Sequence, residues 1–474
     1  MFTSKTIIHF VILLSILGCN KKSSDSSPVT TLVPPPVVLS SNADLSGLSL
    51  SAGTLSPAFS ASVTSYTVAL PFRNSSFTIT PTASHASAVV SGSTGSQALS
   101  VGSNALTLTV TAQDGTASKV YSVTATRHRQ YIYVTNVNIG VGADSVSQFS
   151  VNPTSGVLEP LSTPTVTVGG DPFDLAIDPL GKHFYVNNSS SNTMSQLAID
   201  FTTGLMSPLA PATTVQGTEP FNIAFHPGGV FGYSVNGGTA GTPSIAIHTR
   251  DPSSGLMNAT STTSGGLKPW FIAVEPLGRY AYMTNFGVNG TTFDTILQFS
   301  INQTNGDLTP LATASIATQD RPWYLIIDPQ GEYAYAANNG SSSVSMYKIT
   351  QSDGQLVSLG TIGAGTNPVG LAMDPDGRFL YVGNQGSDNV SAYRIISDGT
   401  VSDGTLVSAG TVAAGDGAFG MKVDKTGNFL YVANSNTNTV SMFRIDQTTG
   451  ALTALTPTAT VTVGTGPRFI DGAF

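Results

Sequence analysis

The sequence predicts an all-β protein, a seven-bladed β-propeller preceded by a small β-sandwich. Two observations carry the propeller. The string Tyr-x-x-Asn occurs seven times after residue 130, ending at Asn136, Asn188, Asn236, Asn285, Asn338, Asn384 and Asn434. Successive copies are 52, 48, 49, 53, 46 and 50 residues apart, a period that belongs to propellers and solenoids. A third observation concerns composition. Charged residues are only 10% of the 474, against roughly 25% in an ordinary soluble domain, and Gly, Pro, Ser, Thr and Asn fill the difference. Thr and Val favour pleated strands, and Gly, Asn and Pro favour turns.

The first element is an address. Lys5 precedes an apolar run from Ile7 to Leu17, interrupted by His9 and Ser15. The run is too short for a membrane-spanning helix, which takes roughly 20 residues, and fits the apolar region of a secretory signal. It ends in Ile16-Leu17-Gly18-Cys19, which resembles the lipobox of bacterial lipoproteins. The resemblance implies that residues 1–18 are a signal peptide and that Cys19 is lipidated and becomes the N-terminus. More than one acyl chain then anchors the protein stably to a membrane. Asn20, not Asp, follows the cysteine, and by known sorting rules this points to the outer membrane, facing periplasm or surface. Cys19 is the only cysteine, so no intrachain disulfide forms. Residues 19–42 are Ser- and Pro-rich and read as an extended tether. The formal charge is −8 with no basic block, which argues against nucleic acid as a partner.

Residues 43–127 alternate with the period of strands, in LSGLSLS, TSYTVALP, SSFTITPT and NALTLTVTAQDGTASKVYSVTATR. Asp114-Gly115 between two alternating runs predicts a hairpin. Short strands of this kind predict a sandwich. The strings LSGLSLSAGTLSPAF, TSYTVALP, NALTLTVTAQDG and YSVTATR together resemble the cadherin-like β-sandwich domain of bacterial surface proteins. Asp44 and Asp114 stand isolated, so no calcium site is expected; the expected role is a spacer, with adhesion as the alternative.

The third element is the repeat array, 130–474. Each Tyr-x-x-Asn after the first is preceded by Asp-Pro-x-Gly or a variant, such as DPLG at 178–181, HPGG at 226–229 and DKTG at 424–427. Asp, Pro and Gly in this order suit a type I turn joining a first strand to a second. A Pro-x-x-apolar segment precedes that turn, and after Tyr-x-x-Asn come a third strand such as VSMYKI, a TTG or SDG turn and a fourth run such as ALTALTPTATVTVG. Four strands per unit make a propeller blade. The array opens on a second strand, QYIYVTN, and ends on a first strand, GPRFIDGAF. The two ends therefore complete one blade and close a ring, where a solenoid would need caps. The repeated asparagine reads as a corner residue that tolerates left-handed backbone and bonds nearby groups.

The repeats are similar to YVTN-type propeller repeats and to the seven-bladed lactonase family, the 6-phosphogluconolactonase and cycloisomerase relatives. That resemblance implies a propeller whose first strands are innermost. It also implies His after the repeat proline and Glu after the strand-ending asparagine, around the channel. Here the residues after the proline slot are Phe173, Phe221, Trp270, Trp323, Val369, Phe419 and Arg468, and the residues after the asparagines include no Glu. The propeller holds only His183, His226 and His248, with His128 just before it, and His226 reads as a turn residue. Lactone chemistry needs a positioned acid or base, so catalytic residues, metal ligands and cofactors are not expected. Preceding the slot are Asp171, Glu219, Lys268, Arg321, Asn367, Gly417 and Gly466. Aromatic faces rimmed by charges hold amphipathic ligands. The candidate site is thus the channel mouth at Trp270, Trp323, Phe173, Phe221 and Phe419, with Arg321, Lys268, Asp171, Glu219 and Arg468 on its rim, and a glycan, peptide or protein as ligand. The competing reading has the same aromatics wedged between blades. The expected function is a lipid-anchored, non-enzymatic binding module of the cell envelope; the alternative is a divergent lactonase.

Overall fold

The computed structural model describes residues 37–70, 72, 74–138, 143–237, 242–285 and 294–473. The expected signal peptide, Cys19 and the tether up to residue 36 lie outside the described residues.

Residues 45–127 form two sheets facing one core. One sheet has Leu45–Leu50, Ser76–Ala83 and Gly95–Ala98; the other has Ser65–Leu70, Ser118–Arg127, Gly102–Thr111 and Val89–Gly92. The period-2 pattern decides which side chains enter the core: SYTVAL buries Tyr66, Val68 and Leu70 against Leu108, Val110, Tyr121 and Val123. The hairpin expected at Asp114-Gly115 is present, with Thr111 paired to Ser118. Gly115 supplies the left-handed backbone at φ 70°, and the Asp114 carboxylate accepts the Thr116 N–H at 2.9 Å.

Seven sheets follow, each built on four antiparallel strands. Blade 1 joins both ends of the array: Pro467–Ala473 is its inner strand, followed outward by Tyr131–Asn136, Ser145–Val151 and Leu158–Thr167. Blades 2 to 7 have inner strands Pro172–Ile177, Pro220–Phe225, Pro269–Val274, Pro322–Ile327, Pro368–Met373 and Ala418–Val423. Each inner strand packs on those of the neighbouring blades, and the last returns to Pro467–Ala473, so the ring is complete. In blade 7 the fourth strand is split into Leu452–Ala454 and Thr460–Thr462, with Pro457, which has no N–H for the ladder, in the gap.

Three repeated devices explain the repeated letters. The Asp of each DPxG turn is buried and holds the turn from inside: Asp374 Oδ1 accepts the N–H groups of Arg378 at 2.6 Å and Phe379 at 2.8 Å, and Asp424 does the same for Asn428 and Phe429. Each Tyr-x-x-Asn tyrosine reaches into the next blade. Tyr133 donates to the Gly204 carbonyl at 2.7 Å, Tyr282 to Gly354 at 2.7 Å, and Tyr431 closes the circle on Gly156 at 2.8 Å. Each asparagine is buried at its strand end, and its amide bonds hydroxyls of the third strand, as Asn434 does with Thr439 and Ser441, both at 2.9 Å.

The last device corrects the expected reason for the asparagine. Its backbone is not left-handed; the left-handed non-glycine residues are Asn192, Ser342, Asp388 and Asn438 beyond the strand, and Asp171, Glu219, Arg321 and Asn367 before the proline slot. Asparagine is used because a strand end buried between blades needs a side-chain donor of that length.

Candidate functional site

The central channel is divided by a layer of aromatic rings, with a cavity on each side. The layer is made by the residues after the proline slot. Trp270 lies 4.3 Å from Phe221 and 4.4 Å from Trp323 between ring centroids, and Phe173 touches Phe221, Trp270 and Phe469 at 5.1–5.6 Å. Phe419 sits edge-on to Phe469 at 5.3 Å. Phe173 and Phe419 are buried, while Phe221, Trp270 and Trp323 are partly exposed. The rings pack one another, and they still present faces to the mouth.

Above the layer is a cavity of about 320 Å³ lined by Phe173, Trp270, Trp323 and Phe419 below and by Val137, Gln385, Ser435, Asn436, Gly466 and Arg468 around. Arg468 stands 5.1 Å over the Phe173 ring, and its guanidinium pairs with Asp171 at 2.9 Å. The Ser189 hydroxyl donates to the other Asp171 oxygen. Of the expected site residues, the structure therefore brings Trp270, Trp323, Phe173, Phe419 and Arg468 to one cavity and places Asp171 and Phe221 directly against it. Glu219, Lys268 and Arg321 belong to the same turn position but do not line the cavity. Their turn is structural: the Glu219 N–H donates to Asn192 at 2.8 Å, and the Arg321 carbonyl accepts from Asn339 at 2.8 Å.

Below the layer is a chamber of about 370 Å³ that reaches the DPxG turns at Pro276 and Pro329. Its polar groups are Asp174, Asn222, Tyr324, Asp328, Lys422 and Asp471; apart from Asp328, which belongs to a DPxG turn, none of them was anticipated from sequence. Asp174 is 6% exposed and accepts from Asn222 Nδ2 at 2.5 Å and from the Ile223 N–H at 3.3 Å. Burial raises its pKa to about 7, with Asp471 adding to the rise and these hydrogen bonds opposing it. Burial also pushes the Tyr324 hydroxyl well above its ordinary value, with Asp174 and Asp471 contributing. Lys422 Nζ is 2.6 Å from Asp471 Oδ1. A signal for these residues existed. Two after the slot the blades read Asp174, Asn222, Phe271, Tyr324, Gly370, Gly420 and Phe469, and four after it Ala176, Ala224, Ala273, Ile326, Ala372, Lys422 and Asp471. Polar residues in otherwise apolar inner columns mark the channel wall.

The propeller histidines lie elsewhere. His183 is 3.0 Å from Asp178, which also holds Arg250 at 3.0 Å. His226 occupies a DPxG turn as expected, accepting the Gly228 N–H at 3.0 Å, and His248 is fully buried in a third strand. Among the described residues no group of three His, Cys, Asp or Glu is placed to hold a metal.

This ring of seven four-stranded sheets around a channel, closed by its own termini, is a seven-bladed β-propeller, and its relatives are identifiable. Three overlapping segments, 87–225, 210–370 and 294–467, match the family described as Lactonase, 7-bladed beta-propeller, and the chain belongs to that family. Residues 45–128 match the Cadherin-like beta sandwich domain. The first lactonase segment begins inside the sandwich, although strands there pair only with one another. No curated protein sequence matches the chain. Among solved structures, a candidate 6-phosphogluconolactonase from Bacteroides fragilis superposes with a TM-score of 0.63 at 22% identity, covering 73% of this chain and 98% of its own. A second, from Bacteroides uniformis, gives 0.63 at 21% identity, covering 73% and 99%. The periplasmic gluconolactonase of Pseudomonas aeruginosa gives 0.61 at 17% identity, also covering 73% and 99%. At these identities the likeness is one of fold.

Proposed function

We propose that the propeller is a non-catalytic binding module whose ligand sits in the mouth cavity, and that a lipid anchor at Cys19 holds it on the cell envelope, at the outer membrane. The observation that carries the reading is the lining of the mouth. Among the described residues that line it Arg468 is the only ionisable side chain, and a guanidinium does not release its proton in proteins. What remains is an aromatic floor walled by amide and hydroxyl groups, the combination that seats amphipathic ligands such as glycans. The test is a glycan and envelope-protein screen against the full chain and its Trp270→Ala, Trp323→Ala double variant. Binding by the parent that falls at least about tenfold in the variant, a loss of about 1.4 kcal/mol, supports the module. Equal binding by both removes the mouth as the site. The anchor has its own test. Cys19→Ala should move the protein from the membrane fraction to the soluble fraction, and unchanged fractionation counts against lipidation.

A divergent lactonase is the second reading, favoured by family membership and by the buried Asp174 carboxyl. A carboxyl poised near neutrality in a cavity is what general acid–base catalysis uses. Turnover of a lactone panel by the parent, lost in Asp174→Asn, would establish it over the binding module.

A further inference from the structure

The two cavities share no lining residue, so the chamber at the DPxG end is a separate question from the mouth. We propose that this chamber binds a small organic cation, a molecule of choline's size bearing an ammonium group, entering from the DPxG face.

The argument is one of charge. Three carboxyl groups, Asp174, Asp328 and Asp471, line the chamber with one lysine, and the Asp328 carboxylate is taken up by the Glu332 and Tyr333 N–H groups of its own turn. Lys422 is engaged with Asp471 at 2.6 Å, and the side-chain and backbone groups that bond Asp174, Asn222 and Ile223, are neutral. Ionised Asp174 is therefore a buried charge with no cation beside it, an arrangement that burial opposes. An anion, including any phosphorylated molecule, would meet three carboxyls. A neutral polyol would leave the charge where it was. A cation resolves it.

The walls fit the same class. Phe271 and Tyr324 pack with their rings tilted by 34° and 3.8 Å between centroids, and Phe225 and Phe469 complete the aromatic lining. A desolvated ammonium is attracted to such faces by the ring quadrupole. Tyr324 adds a further sign. The seven blade tyrosines each donate their hydroxyl to a glycine carbonyl, whereas the Tyr324 hydroxyl has no hydrogen bond among the described residues. It is left for something in the chamber.

A cation prefers the ionised form of Asp174, so affinity should rise with pH through the carboxyl's value of about 7. The other titratable groups facing this space are Asp471 from blade 1, Tyr324 and Asp328 from blade 5 and Lys422 from blade 7.

Calorimetric titration of the full chain with choline and with its uncharged carbon isostere, dimethylbutanol, tests the proposal. Choline should bind at least about tenfold more tightly than the isostere, and about tenfold more tightly at pH 8 than at pH 6. Asp174→Asn keeps an acceptor oxygen for Asn222 and Ile223. It should weaken choline binding at least about tenfold and flatten the pH dependence, with the near-ultraviolet circular dichroism of the propeller unchanged. Trp270→Ala should leave choline binding intact. Equal affinity for the isostere, no choline binding, or loss of binding in Trp270→Ala with retention in Asp174→Asn would each overturn the proposal.

Discussion

His248 breaks the rule that every blade otherwise obeys. At its position in the third strand the other blades carry Phe149, Leu197, Phe299, Tyr347, Tyr393 and Phe443, all buried. The imidazole is fully buried too, and neither ring nitrogen has a hydrogen-bond partner. Burial therefore pushes its pKa from 6.5 down to about 4. Between those values the unfolded chain takes up a proton that the folded chain refuses, so stability falls as pH drops from about 6.5 to about 4. Asp174 acts in the opposite sense. Its raised value gives stability that is complete below 3.8 and lost as pH climbs through about 7. The two effects offset one another in the parent, and a variant separates them. His248→Leu, with leucine already accommodated at position 197, should stabilise the fold by about 1–3 kcal/mol near neutral pH by removing two unsatisfied buried nitrogens. The gain should grow by about 2 kcal/mol between pH 7 and pH 5, read from urea unfolding midpoints at the two values. An identical gain at both values would mean that His248 does not titrate in this window.

At the scale of elements, legibility follows the source of each residue's constraint. The DPxG turn, the Tyr-x-x-Asn strand and the Asp114-Gly115 hairpin are local devices, set by backbone conformation and by neighbours a few residues away, so each was readable from its own letters. The asparagine was recognised as structural but for an incomplete reason, because its partners are hydroxyls five and seven residues on, such as Thr439 and Ser441 for Asn434. The tyrosine of the same string went unexplained, since its partner lies about seventy residues away in the next blade, as Gly204 does for Tyr133. The mouth was half legible. One column of the alignment contains the aromatic layer, but whether its rings face solvent or one another depends on the radius at which seven inner strands meet. The chamber was harder still. Asp174, Lys422 and Asp471 come from blades 2, 7 and 1, and only ring closure makes them neighbours. The left-handed backbone at Asp171, Glu219 and Arg321 was invisible, because residues other than glycine seldom adopt it and nothing local announces it.

Closure is the property of the whole molecule on which the channel depends, and it rests on seven residues. Pro467–Ala473 is the inner strand of blade 1, pairing Ile470 with Val134 and Ala473 with Tyr131. It buries Phe469, Ile470 and Ala473, and it packs beside the inner strands of blades 2 and 7. Burying large apolar side chains such as these contributes about 1.5–3 kcal/mol each, so the strand carries on the order of 5 kcal/mol, a sizeable part of the 5–15 kcal/mol that holds a domain folded. Removing it would also uncover Tyr131–Asn136, every residue of which is buried, as an open edge. Deletion of residues 467–473 is therefore expected to abolish the cooperative unfolding of the propeller and the near-ultraviolet signal of Trp270 and Trp323. The sandwich should survive as a protease-resistant fragment, because its strands pair only among themselves. An open solenoid would behave otherwise. It would lose its terminal repeat and leave the interior ones folded, since each repeat there leans only on its neighbours. Protease-resistant blades 3 to 6 in the deletion variant would therefore show that the blades stand without the ring. Their loss, with the sandwich intact, would show that one strand from the end of the chain holds all seven in place.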